Sequence, residues 1–306
     1  MKENTAKSSG SAGIICVLVA AILWGSMGVF VRYLNAAGLA ALEITQVRIS
    51  VGFLAIGAYL LIFRRDLLKI KLKDIWCFLG TGIVSLLFFS TCYFKSLEYV
   101  SLSTAAILLY TAPIFVMILS IFLFKERITP IKITALLLAF AGCILVSGLG
   151  GGGDEPIGLI FAILSGFFYA LYSIFSRYAI QRGYSSLTIV FYTFLFCVIG
   201  CSFLADWKTI SSVVFVPKAD IILLCLGLGI ITGFFPYVFY SRGLELMESS
   251  KASILASVEP VVGTLFGVFL FKEALSLLGG IGIALVLSAV VLLSVKPKRE
   301  RNKDDK

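Results

Sequence analysis

The sequence contains no histidine. That excludes a Ser-His-Asp triad, a Cys-His dyad, an HExxH zinc site and any imidazole-ligated metal. Charge is scarce as well. Asp, Glu, Lys and Arg make up 14% of the 306 residues, against about 25% in soluble proteins. No Gly-Lys-Ser or Gly-Lys-Thr follows the glycine run at 148–153. A phosphate loop and an ATPase module are therefore not expected. Seven cysteines are present, at 16, 77, 92, 143, 197, 201 and 225, and none forms a CxxC. All seven fall in apolar stretches and read as small packing residues. No cofactor is called for. What remains is apolar: hydrophobic residues reach 59%. A soluble fold could not cover that much apolar surface, and disorder needs the opposite composition. The class left is an all-α polytopic membrane protein.

The few charges mark out the spans. Eight charge-free runs reach 20 residues: 8–31, 75–94, 99–124, 133–153, 156–176, 183–205, 221–241 and 274–295. At 1.5 Å per residue, about 20 residues cross a hydrocarbon core of about 30 Å. Two more stretches qualify with internal charges, 41–63 with Glu43 and Arg48, and 252–271 with Glu259. Ten transmembrane helices are predicted. The first run lacks a small-x-small cleavage site and reads as a retained helix, not a signal peptide.

Twenty of the 26 Lys and Arg fall on the side of the N-terminus, five fall on the other, and Arg48 lies within a span. By the positive-inside rule both termini are expected to be cytoplasmic, in a multi-pass protein of the inner (plasma) membrane. The net charge of +9 then needs no nucleic acid partner. The basic tail at 296–306 reads as an anchor toward anionic lipid.

The chain also repeats itself. Residues 93–126 read YFKSLEYVSLSTAAILLYTAPIFVMILSIFLFKE, and 240–273 read YSRGLELMESSKASILASVEPVVGTLFGVFLFKE. At an offset of 147, Tyr93 meets Tyr240, Lys95 meets Arg242, Glu98 meets Glu245, Pro113 meets Pro260 and FLFKE meets FLFKE. FVRY at 30–33 meets FSRY at 175–178 at an offset of 145. The first repeat covers 1–148, with spans near 13–32, 41–63, 75–95, 101–124 and 131–148. Residues 149–156 form an external linker, and the second repeat covers 157–295, with spans near 157–178, 186–205, 220–241, 250–271 and 275–295. Five spans per half is odd, so the halves must be inverted in the membrane. Inverted repeats are a mark of secondary transporters, with the substrate site at the repeat interface near the midplane.

The sequence resembles the EamA-type branch of the drug/metabolite transporter superfamily, in its bacterial ten-helix form. The resemblance rests on WGSMGVFVR in span 1, the arginine of VRIS in span 2, and the repeated segments ending in FLFKE. It covers essentially the whole chain. It implies a carrier of amino acids, nucleobase-like compounds, other small metabolites or drugs, often an exporter. It also implies a central cavity formed by spans 1, 3, 4, 6, 8 and 9. A monomer and a homodimer are both compatible with it.

Charges that recur in both halves read as architecture, here interfacial anchors at span ends. Charges in one half only are candidates for substrate. Glu259 has Ala112 opposite and lies eight residues beyond Lys251, roughly 12 Å into the membrane. Beside Pro260, which lacks an N–H, it suits a substrate amine or a coupling proton. The alternative is a structural carboxyl bonded between helices. Arg48 has Thr193 opposite. It either pairs with Glu43 or meets a substrate carboxylate, and the resemblance, which leaves span 2 outside the cavity, favours the structural role. Trp24, Tyr93, Tyr110, Tyr169, Tyr172, Tyr237 and Tyr240 lie in spans expected to face the cavity. Their polar tips on apolar bodies suit a substrate pocket in lipid. Pro113, Pro236 and Pro260 are expected to kink their helices.

Three other classes fit the sequence less well than a transporter. Gly151-Gly152-Gly153-Asp154 spells the GxGD of an intramembrane aspartyl protease, but no span interior holds a second Asp to share its proton. A scaffold or receptor lacks the large loop region it would need for partners. A channel fits an inverted repeat less well than alternating access does. The partners expected are a small-molecule substrate, the bilayer and a coupling proton.

Overall fold

The structure, a computed structural model, describes residues 2–148, 155–214 and 218–294, with side chains from Ser11 onward. The linker core at 149–154 and the tail at 295–306 lie outside the described residues, so the readings made of them stand as expectations.

Every regular element among the described residues is helical. Span 1 is α1 (Lys2–Gly25) with α2 (Met27–Ala36), and span 2 is α3 (Ala41–Phe63). Span 3 runs through α4 (Ile75–Leu79), a π-helical segment (Gly80–Leu87) and α5 (Phe88–Ser96). Span 4 is α6 (Leu102–Leu109) with α7 (Ala112–Phe124), and span 5 is α8 (Pro130–Ser147). In the second half α9 (Pro156–Gln181) is span 6 and α10 (Ser186–Ser202) is span 7, followed by a short α11 (Trp207–Val214). Span 8 joins α12 (Ala219–Gly227), a second π-helical segment (Leu228–Phe234) and α13 (Phe235–Leu246). Span 9 is α14 (Ser249–Ala256) with α15 (Glu259–Phe271), and span 10 is α16 (Leu277–Ser294). Nine of these stretches are long and apolar enough to cross a membrane, and α10 with α11 makes a tenth if that bent pair is one span. Leu54, Ile62, Phe122, Leu137, Leu223 and Phe269 are exposed along their lengths. Lipid is the solvent that such a surface fits.

Span 7 was expected to reach 205. The helix stops at Ser202 instead, and α11 leaves at 110°. Asp206 causes the turn. Its carboxylate accepts from the Lys208 N–H at 2.9 Å and the Thr209 hydroxyl at 2.7 Å, starting a new helix. Those two donors, Thr209 first, hold the Asp206 carboxyl below its ordinary range. The Trp207 indole fastens the corner by donating to the Ser202 carbonyl at 2.9 Å.

The irregularities repeat along with the sequence. The bounds of α14 and α15 lie 147 residues after those of α6 and α7, and α16 lies 147 after α8. Both third-position spans contain a π-helical segment. Lys125 and Lys272 both take the left-handed conformation, at φ 54° and 56°, and so end α7 and α15. One asymmetry stands out: span 1 breaks at Ser26, whereas α9 runs unbroken for 26 residues.

The loops gather on two faces. On one, Tyr184 donates to Asp74 at 2.8 Å and Thr188 to the Leu67 carbonyl at 2.9 Å. This face carries the Lys- and Arg-rich loops. On the other, Glu155 N–H donates to the Tyr99 carbonyl at 3.1 Å and Arg32 pairs with Glu273 at 2.8 Å. Labelling of single cysteines in cells should find 64–74 and 296–306 in the cytoplasm and 149–156 outside. An external Lys69 region would refute that orientation.

Candidate functional site

A cavity of about 820 Å³ opens among spans 1, 2, 3, 4, 6 and 9. That is within the range of about 300–1,000 Å³ usual for small-molecule sites. Two broken helices build it. Span 1 breaks where the Ser26 hydroxyl turns back to the Leu23 carbonyl at 2.7 Å. Span 9 breaks at Ser257 and Val258, whose N–H groups close tighter turns onto Ile254 and Leu255. The two breaks touch. A Cβ on Gly25 would stand 2.6 Å from Val262 Cβ and 2.8 Å from the Glu259 carbonyl oxygen. Only a glycine allows that approach. The Ser257 carbonyl freed by the break accepts from the Cys143 thiol at 3.8 Å.

Glu259 is therefore the first residue of α15 and lines the cavity beside Pro260. It makes no ion pair or side-chain hydrogen bond among the described residues. Pro113 and Pro260 were expected to mark kinks where their helices flex or open. Each occupies the second position of a new helix just after a break, where the missing N–H costs nothing. Pro236 likewise is the second residue of α13, just beyond the second π-helical segment. Pro260→Ala removes the ring that bars a continuous helix through the break, and so should stiffen it. We expect transport to slow more than folded yield falls; equal losses would mark a packing role.

Four of the seven aromatic candidates, Trp24, Tyr93, Tyr110 and Tyr169, line the large cavity. The other three do not. Tyr172, Tyr237 and Tyr240 form a layer beneath it with Trp24 and Phe194. Trp24 meets Tyr237 edge-on at 5.2 Å, Tyr172 meets Tyr237 at 5.3 Å and Phe194 meets Tyr237 at 5.1 Å. Tyr172 hydrogen-bonds Ser241, and Tyr240 hydrogen-bonds Ser173, each at 2.8 Å. The layer encloses a void of about 10 Å³, room for one water. It separates the cavity from the basic face. Tyr and Trp rings packed edge to face in this way are rigid, because each ring blocks its neighbours' rotamers.

Arg48 corrects an expectation. Its span lay outside the six implied for the cavity, yet Arg48 lines it, as do Ile44 and Thr45. The pair with Glu43 is not formed. Arg48 donates to Met27 Sδ at 2.7 Å, and its Nε has no partner. Glu43 accepts instead from the Asp206 N–H at 3.2 Å, leaving Oε2 unpartnered. Met27 is not among the residues the sequence singled out, although it stands within WGSMGVFVR and opens α2 directly after the break at Ser26. Arg32 was missed too. At the mouth it lies over the Phe271 ring at 4.1 Å and pairs with Glu273. No cluster of three acidic or Cys side chains gathers to hold a metal among the described residues. Apart from Arg32, which is paired with Glu273 at the mouth, the cavity thus offers one carboxylate, Glu259, and one guanidinium, Arg48, on different helices among aromatic walls.

Comparison with known proteins agrees with this architecture. The sequence profile of the EamA-like transporter family matches residues 11–148 and 156–295. An uncharacterized transporter of Archaeoglobus fulgidus is 30% identical over 284 residues, covering 92% of this chain and 95% of the relative. The uncharacterized inner membrane transporter YicL of Salmonella typhimurium is 26% identical over 295 residues, covering 94% and 96%. A solved crystal structure superposes with a TM-score of 0.76 at 20% identity, covering 93% of this chain and 96% of that one, which supports the fold. With nine to ten helices among the described residues long and apolar enough to cross a membrane, in two matched stretches, the chain is a membrane transporter and belongs to the EamA-like transporter family.

Proposed function

We propose that this protein moves a small molecule bearing both an amino and an acidic group, an amino acid or close relative, by alternating access between its two halves. One observation carries the reading: Glu259 and Arg48 line one cavity without pairing to each other. A charge inside a membrane costs about 2.5–3.5 kcal/mol on insertion scales unless it meets water or a partner. A zwitterion satisfies both groups at once. Its amine meets Glu259, its acid meets Arg48, and its body lies against Trp24, Tyr93, Tyr110 and Tyr169. A proton on Glu259 competes with the amine and so supplies a means of coupling to a gradient.

The cavity opens toward the face poor in Lys and Arg and is closed toward the basic face. With both termini cytoplasmic, this is the outward-open conformer. Export then begins from the opposite conformer, with the cavity open to the cytoplasm.

Purified protein screened for thermal stabilisation by amino acids, nucleobases, polyamines and quaternary amines tests the substrate class. A ligand at one hundred times its Kd stabilises by about 2.7 kcal/mol. Stabilisation by amino acids is expected. Stabilisation by nucleobases alone, or by quaternary amines alone, refutes the zwitterion.

A further inference from the structure

Residues that are repeat mates make different contacts on the two faces. On the basic face, Glu126 is buried and accepts from the N–H groups of Ser249 at 2.8 Å and Ser250 at 3.3 Å, and from the Ser250 hydroxyl. It thereby caps α14. Glu245 accepts from the Ser186 N–H at 2.6 Å and caps α10. Arg177 donates to the carbonyls of Leu244 at 2.7 Å and Met247 at 3.2 Å, at the end of α13. These contacts pull the helix ends together under the aromatic layer.

Their mates sit at the cavity mouth and make none of these contacts. Glu273, mate of Glu126, has a side chain 52% exposed against 6%. Glu98, mate of Glu245, is 58% exposed against 14%. Arg32, mate of Arg177, is held by Glu273. The groups that correspond to the partners on the closed face are Ala41 N–H, the start of α6 at Leu102 and Ser103, and the carbonyls of Leu97 and Val100. Ala41, Leu97 and Leu102 line the cavity. The same side chains are thus engaged where the protein is shut and disengaged where it is open.

We propose that Glu98, Glu273 and Arg32 are the second gate of this transporter: when the mouth closes, Glu273 caps α6, Glu98 caps α3 and Arg32 grips the end of α5. The proposal rests on the alternating-access reading. It is reciprocal, because closing the mouth requires Glu126, Glu245 and Arg177 to let go. It is also unequal. Lys132 reinforces the basic-face gate through Glu248 at 2.5 Å, Glu126 at 3.8 Å and the Arg127 carbonyl at 2.9 Å. The mates of Lys132 and Glu248 are Gly279 and Ser101, so the second gate has no such ion pair. The open-mouth conformer is the resting one for that reason.

The test follows the mouth directly, without a transport assay. In a cysteine-free background, Gly28→Cys places a thiol in the cavity, where a Cβ meets nothing within 4 Å. Vesicles oriented with the cavity face outward are treated with an impermeant maleimide. Lys132→Met should slow labelling at least about threefold, since the rate tracks the open population. Adding Glu273→Ala to Lys132→Met should restore it. Unchanged or faster labelling with Lys132→Met overturns the proposal, as does a failure of Glu273→Ala to restore the rate. A second measurement keeps Lys132. Glu273→Cys with Ser103→Cys should cross-link slowly as the mouth closes, and cross-linked molecules should no longer label at position 28. Cross-linked molecules that still label at the original rate overturn it as well. If the gate behaves so and no amino acid binds, the substrate reading fails and the gate stands.

Discussion

Glu259→Gln cuts transport by at least about tenfold, or about 1.4 kcal/mol of lost binding or barrier stabilisation, and leaves folded yield near that of the parent. The amide keeps the shape and the acceptor oxygen at the first position of α15, so the break at Ser257 and Val258 is undisturbed. What disappears is the charge. No protein cation forms an ion pair with it among the described residues, so on this reading the loss falls on substrate or proton. If the carboxyl carries a coupling proton, the residual transport also loses its dependence on pH. Transport and stabilisation assays on reconstituted protein read both effects. Normal transport with an unchanged pH profile makes Glu259 structural. Aromatic contact then dominates recognition and a neutral, planar substrate takes the place of the zwitterion.

Gly142→Leu acts on folding instead. Spans 5 and 10 cross where Gly142 meets Gly282, and a Cβ on Gly142 would stand 2.7 Å from the Gly282 carbonyl oxygen and 3.0 Å from the Val286 N. Backbone cannot step aside as a side-chain tip does. Overpacking a close contact costs about 1–3 kcal/mol, and here it parts two helices whose association depends on close approach. Detergent-extracted, monodisperse protein should fall severalfold, while the cavity of whatever folds still binds substrate. Parental yield would show that α8 and α16 tolerate separation.

The spans were legible because membrane physics leaves a plain mark: charges such as Asp74, Lys95, Glu155 and Arg242 sit where apolar runs must end. The inverted halves were legible through FLFKE and the paired prolines. The corner at Asp206 was not, since WKTISSVV is too short to carry a period and its cap is a tertiary fact. The break at Ser26 was missed because no proline marks it, whereas Pro260 at least flagged span 9. The cavity was half legible. Glu259 showed itself as an acid with no mate. Tyr172, Tyr237 and Tyr240 occupy suitable spans, but hydropathy does not report which way an all-apolar helix is turned. Arg48 lines the cavity although the resemblance places its span outside it, and its failure to recur in the second half is the sequence feature that agrees with that position.

The two π-helical segments, Gly80–Leu87 and Leu228–Phe234, have a consequence for insertions and deletions. Wider turns use more residues for the same rotation. A chain that lost one residue there would still have a helix long enough to cross. The part that follows would be turned about its axis, carrying Phe89, Ser90 and Tyr93 off the cavity in one half, and Tyr237 and Tyr240 out of the aromatic layer in the other. The length of these two spans is thus fixed by rotational register rather than by the thickness of the bilayer.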